Sequence, residues 1–276
     1  TLSSLLQLAG HYYLVLGMRN RTEEVWSEVR AMSKRTGKSL LWILSTSLDA
    51  ILSLMDGNIE DVVDMAKLIR SRGGEFGVSQ AANIMADLAD IRAQLYLGRS
   101  LETLERMYHY PGAEIFLVLV LAHLGKKHEA SDMLERLVVR RPGIGTTEDE
   151  VPIYWDASYL EAAILAGHQQ ASELLLKRFS GTGVRISGYW YPTCIPRHLG
   201  GACALLGRYE EARKYYDEAI KVCTETRFRP ELALTRLQLA ELLLEHYPKE
   251  KQEALEHLDF AIKEFREMKM QPSLER

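Results

Sequence analysis

The stretch "ALLGRYEEARKYYDEAIKV", residues 204–222, sets a glycine inside a helical pattern and then places Ala212, Tyr216 and Ala219 at i, i+4 and i+7. That spacing puts the three side chains on one helix face. Gly200 and Ala204 stand before the turn, so two helices joined at Gly207 present small residues to each other. Their axes can then approach closely, and the tyrosine ring fills the space beside the contact. The stretch predicts a helix, a glycine turn and a second, tightly packed helix.

The same punctuation recurs along the chain. Gly17, Gly57, Gly98, Gly125, Gly167 and Gly207 each separate two segments with apolar residues three and four apart. Successive rungs are regularly spaced, except for a shorter step between Gly98 and Gly125. One more regular step reaches Tyr247 and Pro248, where proline takes the place of glycine. Glycine suits these rungs because the chain must leave the first helix through a left-handed conformation that a Cβ resists. Ala254, Leu258 and Ala261 repeat the packing pattern in the last unit, and Ala130, Leu134 and Leu137 give a looser version. Strand signals are nearly absent outside "GVRISGYW". The expected fold is all-α, a right-handed superhelix of about seven helix-turn-helix units in a single domain spanning 1–276. Unit boundaries fall near 1–36, 37–73, 78–110, 111–141, 152–180, 192–226 and 229–270. The short step after Gly98 points to a shortened helix. Stacked pairs of this kind cover one another in series and leave a curved inner wall.

Composition narrows the function. With 47% hydrophobic residues the chain can bury a substantial core, and 34 basic and 38 acidic residues are mixed without a basic block, which argues against direct nucleic-acid binding. "IFLVLVLA", Ile115 to Ala122, is too short for a membrane span and reads as a helix buried mid-protein. Cys194, Cys203 and Cys223 form no C-x-x-C pair and read as reduced thiols of a cytoplasmic protein. The absence of a secretory start agrees, and leaves the sequon at Asn20 inert. The opening at Thr1 is expected to mark a fragment.

"HLGGACALLGRYEEARKYYDEAI", residues 198–220, resembles a tetratricopeptide repeat, with Leu199, Gly200, Gly207, Tyr209, Ala212, Tyr216 and Ala219 at the matching positions. The period in this chain mostly runs to roughly 40 residues, against about 34 in the usual repeat, and no proline follows Val222. Longer repeats of this kind resemble the C-terminal arms of large bacterial signalling ATPases, including LuxR-type regulators and multidomain class III adenylyl cyclases. The ending "AIKEFREMKMQPSLER" is similar too. The resemblance implies a non-catalytic interaction module that receives a peptide or protein partner on its first helices, or binds the parent protein's own catalytic domains.

Two long loops interrupt the array: "RRPGIGTTEDEVP" before the helix near Ile153, and "SGTGVRISGYWYPT" before the helix near Cys194. Both link one unit to the next and are expected at one edge of the stack. They bring a concentration of aromatic residues. The candidate recognition set is Trp155, Tyr159, Trp190, Tyr191, Arg197 and His198, because Tyr and Trp supply broad rigid contact area; the same aromatics serve equally to anchor the loops. An alternative use is an enclosed aromatic pocket sensing a sugar or nucleotide.

Other motifs read as structure. "TGKS", 36–39, lacks the first glycine of a phosphate loop, since Met32 stands there, and reads as a helix end capped by Gly37. The eight histidines show no metal-binding spacing, and His128 and His168 are expected at exposed turns. Cys194 and His198 share a helix face, yet a repeat helix offers no oxyanion hole. Charge runs such as "EDE" and "PKEKQEALEH" read as solvated faces. No catalytic residue, cofactor or metal is expected.

Overall fold

The computed structural model describes residues 1–107, 114–188 and 191–276. Among them the chain forms fifteen helices: α1 (Leu2–Val15), α2 (Arg19–Thr36), α3 (Ser39–Met55), α4 (Ile59–Glu75), α5 (Ser79–Tyr96), α6 (Ser100–Met107), α7 (Glu114–His123), α8 (Lys127–Leu134), α9 (Ile153–Ala166), α10 (Gln169–Phe179), α11 (Ile195–Leu205), α12 (Tyr209–Glu225), α13 (Arg229–His246), α14 (Lys251–Glu267) and α15 (Gln271–Leu274). A π-helical turn, Glu135–Val139, continues α8, and a 3-10 turn, Pro248–Glu250, leads into α14. No strand occurs among the described residues; "GVRISGYW" contributes one antiparallel bridge, Ile186 to Cys194. Consecutive helices pack as pairs, and most pairs lean on the next, giving an all-α solenoid.

Every glycine rung lies in the left-handed region, with φ between 71° at Gly125 and 86° at Gly57. Gly37 ends α2 in the same way, at φ 63°, so "TGKS" is a helix terminus followed directly by α3. Inside a pair the expected close approach is present. A Cβ on Gly200 would stand 2.7 Å from the Tyr216 ring, and Ala212 and Ala219 beside that ring are fully buried. In α7, Val118 to Ala122 are buried, as a central helix requires. The short step after Gly98 falls on α6, which is described from Ser100 to Met107, with residues 108–113 lying outside the described residues.

The loop before α9 is held by charge. The carboxylates of Asp149 and Asp156, both 1% exposed or less, are each gripped by Arg141 and Arg178, with Arg141 Nη1 2.8 Å from Asp156 and Arg178 Nη1 2.9 Å from Asp149. The "EDE" run is therefore not wholly a solvated face. Glu148 and Glu150 are exposed, but Asp149 turns inward because the amides of Gly145 and Val151 and two guanidinium groups complete its hydrogen bonding. The second loop docks on the first helix pair: the amides of Arg185 and Ile186 both donate to the Val15 carbonyl. His11 of α1 lies edge-on to Tyr154 and against Gly188, so one helix touches both loops.

These contacts belong to a seam that runs the length of the molecule. The turns of the first three pairs rest on the last third of the chain: Gly17 on Arg185 and Thr226, Gly57 on Met268 and Arg229, Gly98 on Pro272. Arg19, 3% exposed, donates to the carbonyls of Thr226 and Arg227 and pairs with Asp56. Two apolar clusters cross the seam, one joining Ala50, Val63 and Tyr96 to Ala233 and Phe265, the other joining Trp26 and Met55 to Val222 and Phe228. The curved inner wall is thus not an open groove. Its first three pairs lie against the last third of the chain, with apolar side chains packed between them.

Candidate functional site

Where the first helices of several pairs converge, charged and polar side chains from different helices are buried together. Arg92 and Tyr96 come from α5, Glu161 from α9, Arg197 and His198 from α11, and Glu231 from the first turn of α13. Each of these side chains is almost entirely buried. Burying an isolated charge is prohibitive, so each must find an opposite partner. Glu231 accepts from Arg197 Nε at 2.8 Å, from Arg197 Nη2 at 3.0 Å, from Tyr96 Oη at 2.7 Å, from Thr193 Oγ1 at 2.9 Å and from the Cys194 amide at 2.8 Å. Glu161 accepts from Arg92 Nη1 at 2.7 and 2.9 Å, and is hydrogen-bonded to His123 Nε2 of α7 at 3.0 Å.

The electrostatics follow from that pairing. Burial pushes the Glu231 carboxyl up, but the Arg197 charge and its hydrogen bonds outweigh it, leaving a pKa of about 2. Glu161 likewise falls well below the carboxylate range: burial pushes it up, and the pull of Arg92 and the bond from His123 exceed that effect. His198 is driven down to about 3, first by burial and then by neighbouring Arg197. Its Nε2 lies 2.6 Å from Thr193 Oγ1. Two carboxylates face two guanidinium groups around a neutral imidazole, a balanced arrangement that holds helices together.

Beside this cluster lies a cavity of about 170 Å³. Its walls include Tyr96, His123, Glu161, Arg197, His198 and Gln238. Pro272, Ser273 and Arg276 close it, and Arg276 Nη2 is fixed 2.7 Å from Glu241. The C-terminal segment therefore covers a chamber walled by first helices.

The structure divides the residues singled out from sequence. Arg197 and His198 lie in the cluster and line the cavity. Tyr191 is buried against Phe116, with ring centroids 4.3 Å apart, and its hydroxyl has no hydrogen-bond partner among the described residues. Tyr159 is buried beside the Asp156 network. Trp155 is half-buried and edge-on to Tyr154. Trp190 lies outside the described residues. Thus Tyr159 and Tyr191 pack into the stack, on α9 and against Phe116 of α7, and Trp155 is partly covered. Cys194 Sγ is directed at the Ala219 carbonyl and lies beside Cys223. His128 is exposed, and His168 caps α10 by accepting from the Ala171 amide. Sequence reasoning missed Arg92, Glu161 and Glu231; around Glu161 the stretch "ASYLEAAILA" carries a signal, a charge among small and apolar residues.

Residues 192–263 match the tetratricopeptide repeat family. The matched repeat runs from the end of the second long loop through most of α14, and so contains Arg197, His198, Glu231 and Gln238. No curated protein matches the chain. Among the described residues, no group of three or more His, Cys, Asp or Glu is placed to hold a metal ion, and no helix is long and apolar enough to cross a membrane.

Proposed function

We propose that this chain is a non-catalytic interaction and regulatory module, an arm of a larger bacterial signalling or transcription-regulating ATPase, working in the cytoplasm. Its partner is a peptide or protein, with the parent's own catalytic domains the leading candidates. The repeat match at 192–263 supports an interaction module in general. The observation that carries the site is the chamber beside Arg197 and His198, walled by first helices and roofed by a short terminal segment. Entry of a partner requires that α15, a helix of 4 residues with none fully buried, move aside from its contacts at Gly98. Trp155, Tyr159, Trp190 and Tyr191 remain in the proposal as anchors of the loops beside this region. The test is calorimetric titration of the parent's catalytic domains into the wild-type chain and into Gln238→Trp, which fills the chamber. Binding by the wild type and its loss in a variant of unchanged Tm is expected; no heat with the wild type overturns the reading.

The enclosure of the chamber favours a second reading, a sensor of a small polar ligand. Its described lining is ionic and aliphatic, with Tyr96 as the aromatic member, so stacking on a sugar or nucleotide base has little support from the walls. A thermal-shift screen with sugars and nucleotides distinguishes the two readings: stabilisation by a ligand that Gln238→Trp abolishes selects the sensor.

A further inference from the structure

The two ends of the solenoid are finished differently. At the C-terminal end Met268 and Met270 fold under α14 and are buried, and the outward positions of α14 include Lys251, Gln252, Glu256, Asp259 and Lys263. That is the polar cap a repeat array needs to stay soluble. At the other end α1 contains no Asp, Glu, Lys or Arg. One face packs on α2, where a Cβ at Gly10 would meet the Trp26 ring at 2.0 Å. The opposite face shows Leu2, Leu5, Leu8, Tyr12 and Leu16, each 49 to 65% exposed.

The repeat itself says what belongs on that face. Counted back from the turn residue, Leu5 and Tyr12 stand at positions twelve and five. Among the equivalents, Ala86 and Ala93 in α5, Ile195 and Ala202 in α11, and Thr235 and Leu242 in α13 are all 5% exposed or less, while in α3 Ser45 is 6% exposed and Leu52 is partly buried. In α9, Ala162 is fully buried and Trp155 half-buried. Helices α5, α9, α11 and α13 each pack on both helices of the pair before them. The covered positions in later units are thus apolar and exposed in α1, a contiguous stripe of the kind that marks an interaction surface.

We infer that the outer face of α1 is the seat of one more helical hairpin of this same repeat class, supplied by the same polypeptide ahead of Thr1. The inference rests on the reading of the chain as an arm of a longer protein and is independent of what the inner chamber binds. The absence of charge on α1 fits an occupant whose facing side chains are Ala, Leu and Val, as between the later pairs.

The test compares the chain 1–276 with the same chain extended by one repeat period of the sequence encoded before Thr1. Amide exchange over 2–16 is expected to slow at least tenfold in the extended protein, and Tm to rise. Leu5→Glu and Tyr12→Glu are expected to abolish that gain while leaving the Tm of 1–276 unchanged, which separates an interface from a fold defect. Three results overturn the inference: equal exchange in both proteins, an upstream sequence without a helical hairpin, or protection in 1–276 that grows with concentration as the chain sediments as a dimer. In the last case a second copy is the occupant. Failure of any partner to enter the chamber leaves these measurements untouched.

Discussion

Gly98 and Gly167 occupy the same place in their units and have nearly the same backbone, φ 77° and 76°, yet their surroundings are opposite. A Cβ at Gly167 meets nothing within 4 Å, and the same holds for Gly125 and Gly207. At Gly98 it would stand 2.9 Å from Pro272, and Gly17 and Gly57 have comparable neighbours in the last third of the chain. One half of the glycine ladder serves only the local turn. The other half also lets the chain close on itself. Local turn chemistry is therefore the same throughout, and what differs is whether the turn edge has been used to seal the solenoid.

The largest test of that difference lies at Glu231, which ties α5 to α11 and α13 across the seam. Glu231→Ala strands Arg197 and Tyr96 in a dry interior and is expected to cost about 3–5 kcal/mol in urea unfolding. Arg136→Ala, which breaks a pair exposed on both sides away from the seam, should cost less than about 1 kcal/mol. Equal effects would remove the distinction between the two regions.

Next come the turns themselves. Both Gly98→Ala and Gly167→Ala force a Cβ into the left-handed region, at roughly 1–2 kcal/mol. Gly98→Ala must also displace the rigid Pro272 ring, adding about 1–3 kcal/mol. Paired chevron or equilibrium measurements should show the larger loss at Gly98, and equal losses would mean the seam yields freely.

Acid sharpens the comparison further. His198, with a folded pKa of about 3, binds its proton more weakly folded than unfolded, where about 6.5 is ordinary. Its contribution is therefore complete above pH 6.5 and is lost as pH falls toward 3, amounting to about 2 kcal/mol by pH 5. Glu231, at about 2, adds its own loss only below the unfolded carboxylate range near 4.3. Stability measured from pH 7.5 to 5 should fall in the wild type and fall less steeply in His198→Gln, where only the smaller contributions of partly buried His11 and His257 remain. The smallest effect is expected at the seam's solvent edge: Lys269→Ala removes an exposed pair with Glu60 and should change stability by less than about 1 kcal/mol.

The turns and pair contacts were legible because they are local. Gly207 and the Ala212, Tyr216, Ala219 face lie within a single helical hairpin, and their meaning depends only on helix geometry. The ionic cluster was not. Arg92 and Glu161 are 69 residues apart, and Tyr96 and Glu231 are 135 apart; nothing local to Arg92 names its partner. Asp149 was misread with its neighbours because exposure within a charged run depends on which side chain meets Arg141 and Arg178. The aromatic residues were noticed, but what they pack against was not, since Tyr191 meets Phe116 of α7, far from it in the sequence.

By itself the sequence determined the repeated unit: seven turns, six with a residue free to take positive φ, helices long enough to pair, and small residues where the pairs touch. Those features are set by backbone sterics and by spacings of three, four and seven, which any reader of the chain can count. Only the tertiary structure decided that the array closes, that its inner wall is a paired ionic core with a small roofed chamber, and that α1 keeps an apolar face uncovered. Closure depends on the small rotation between successive units summed over the whole chain, and a quantity that accumulates in that way is written in no single stretch of residues.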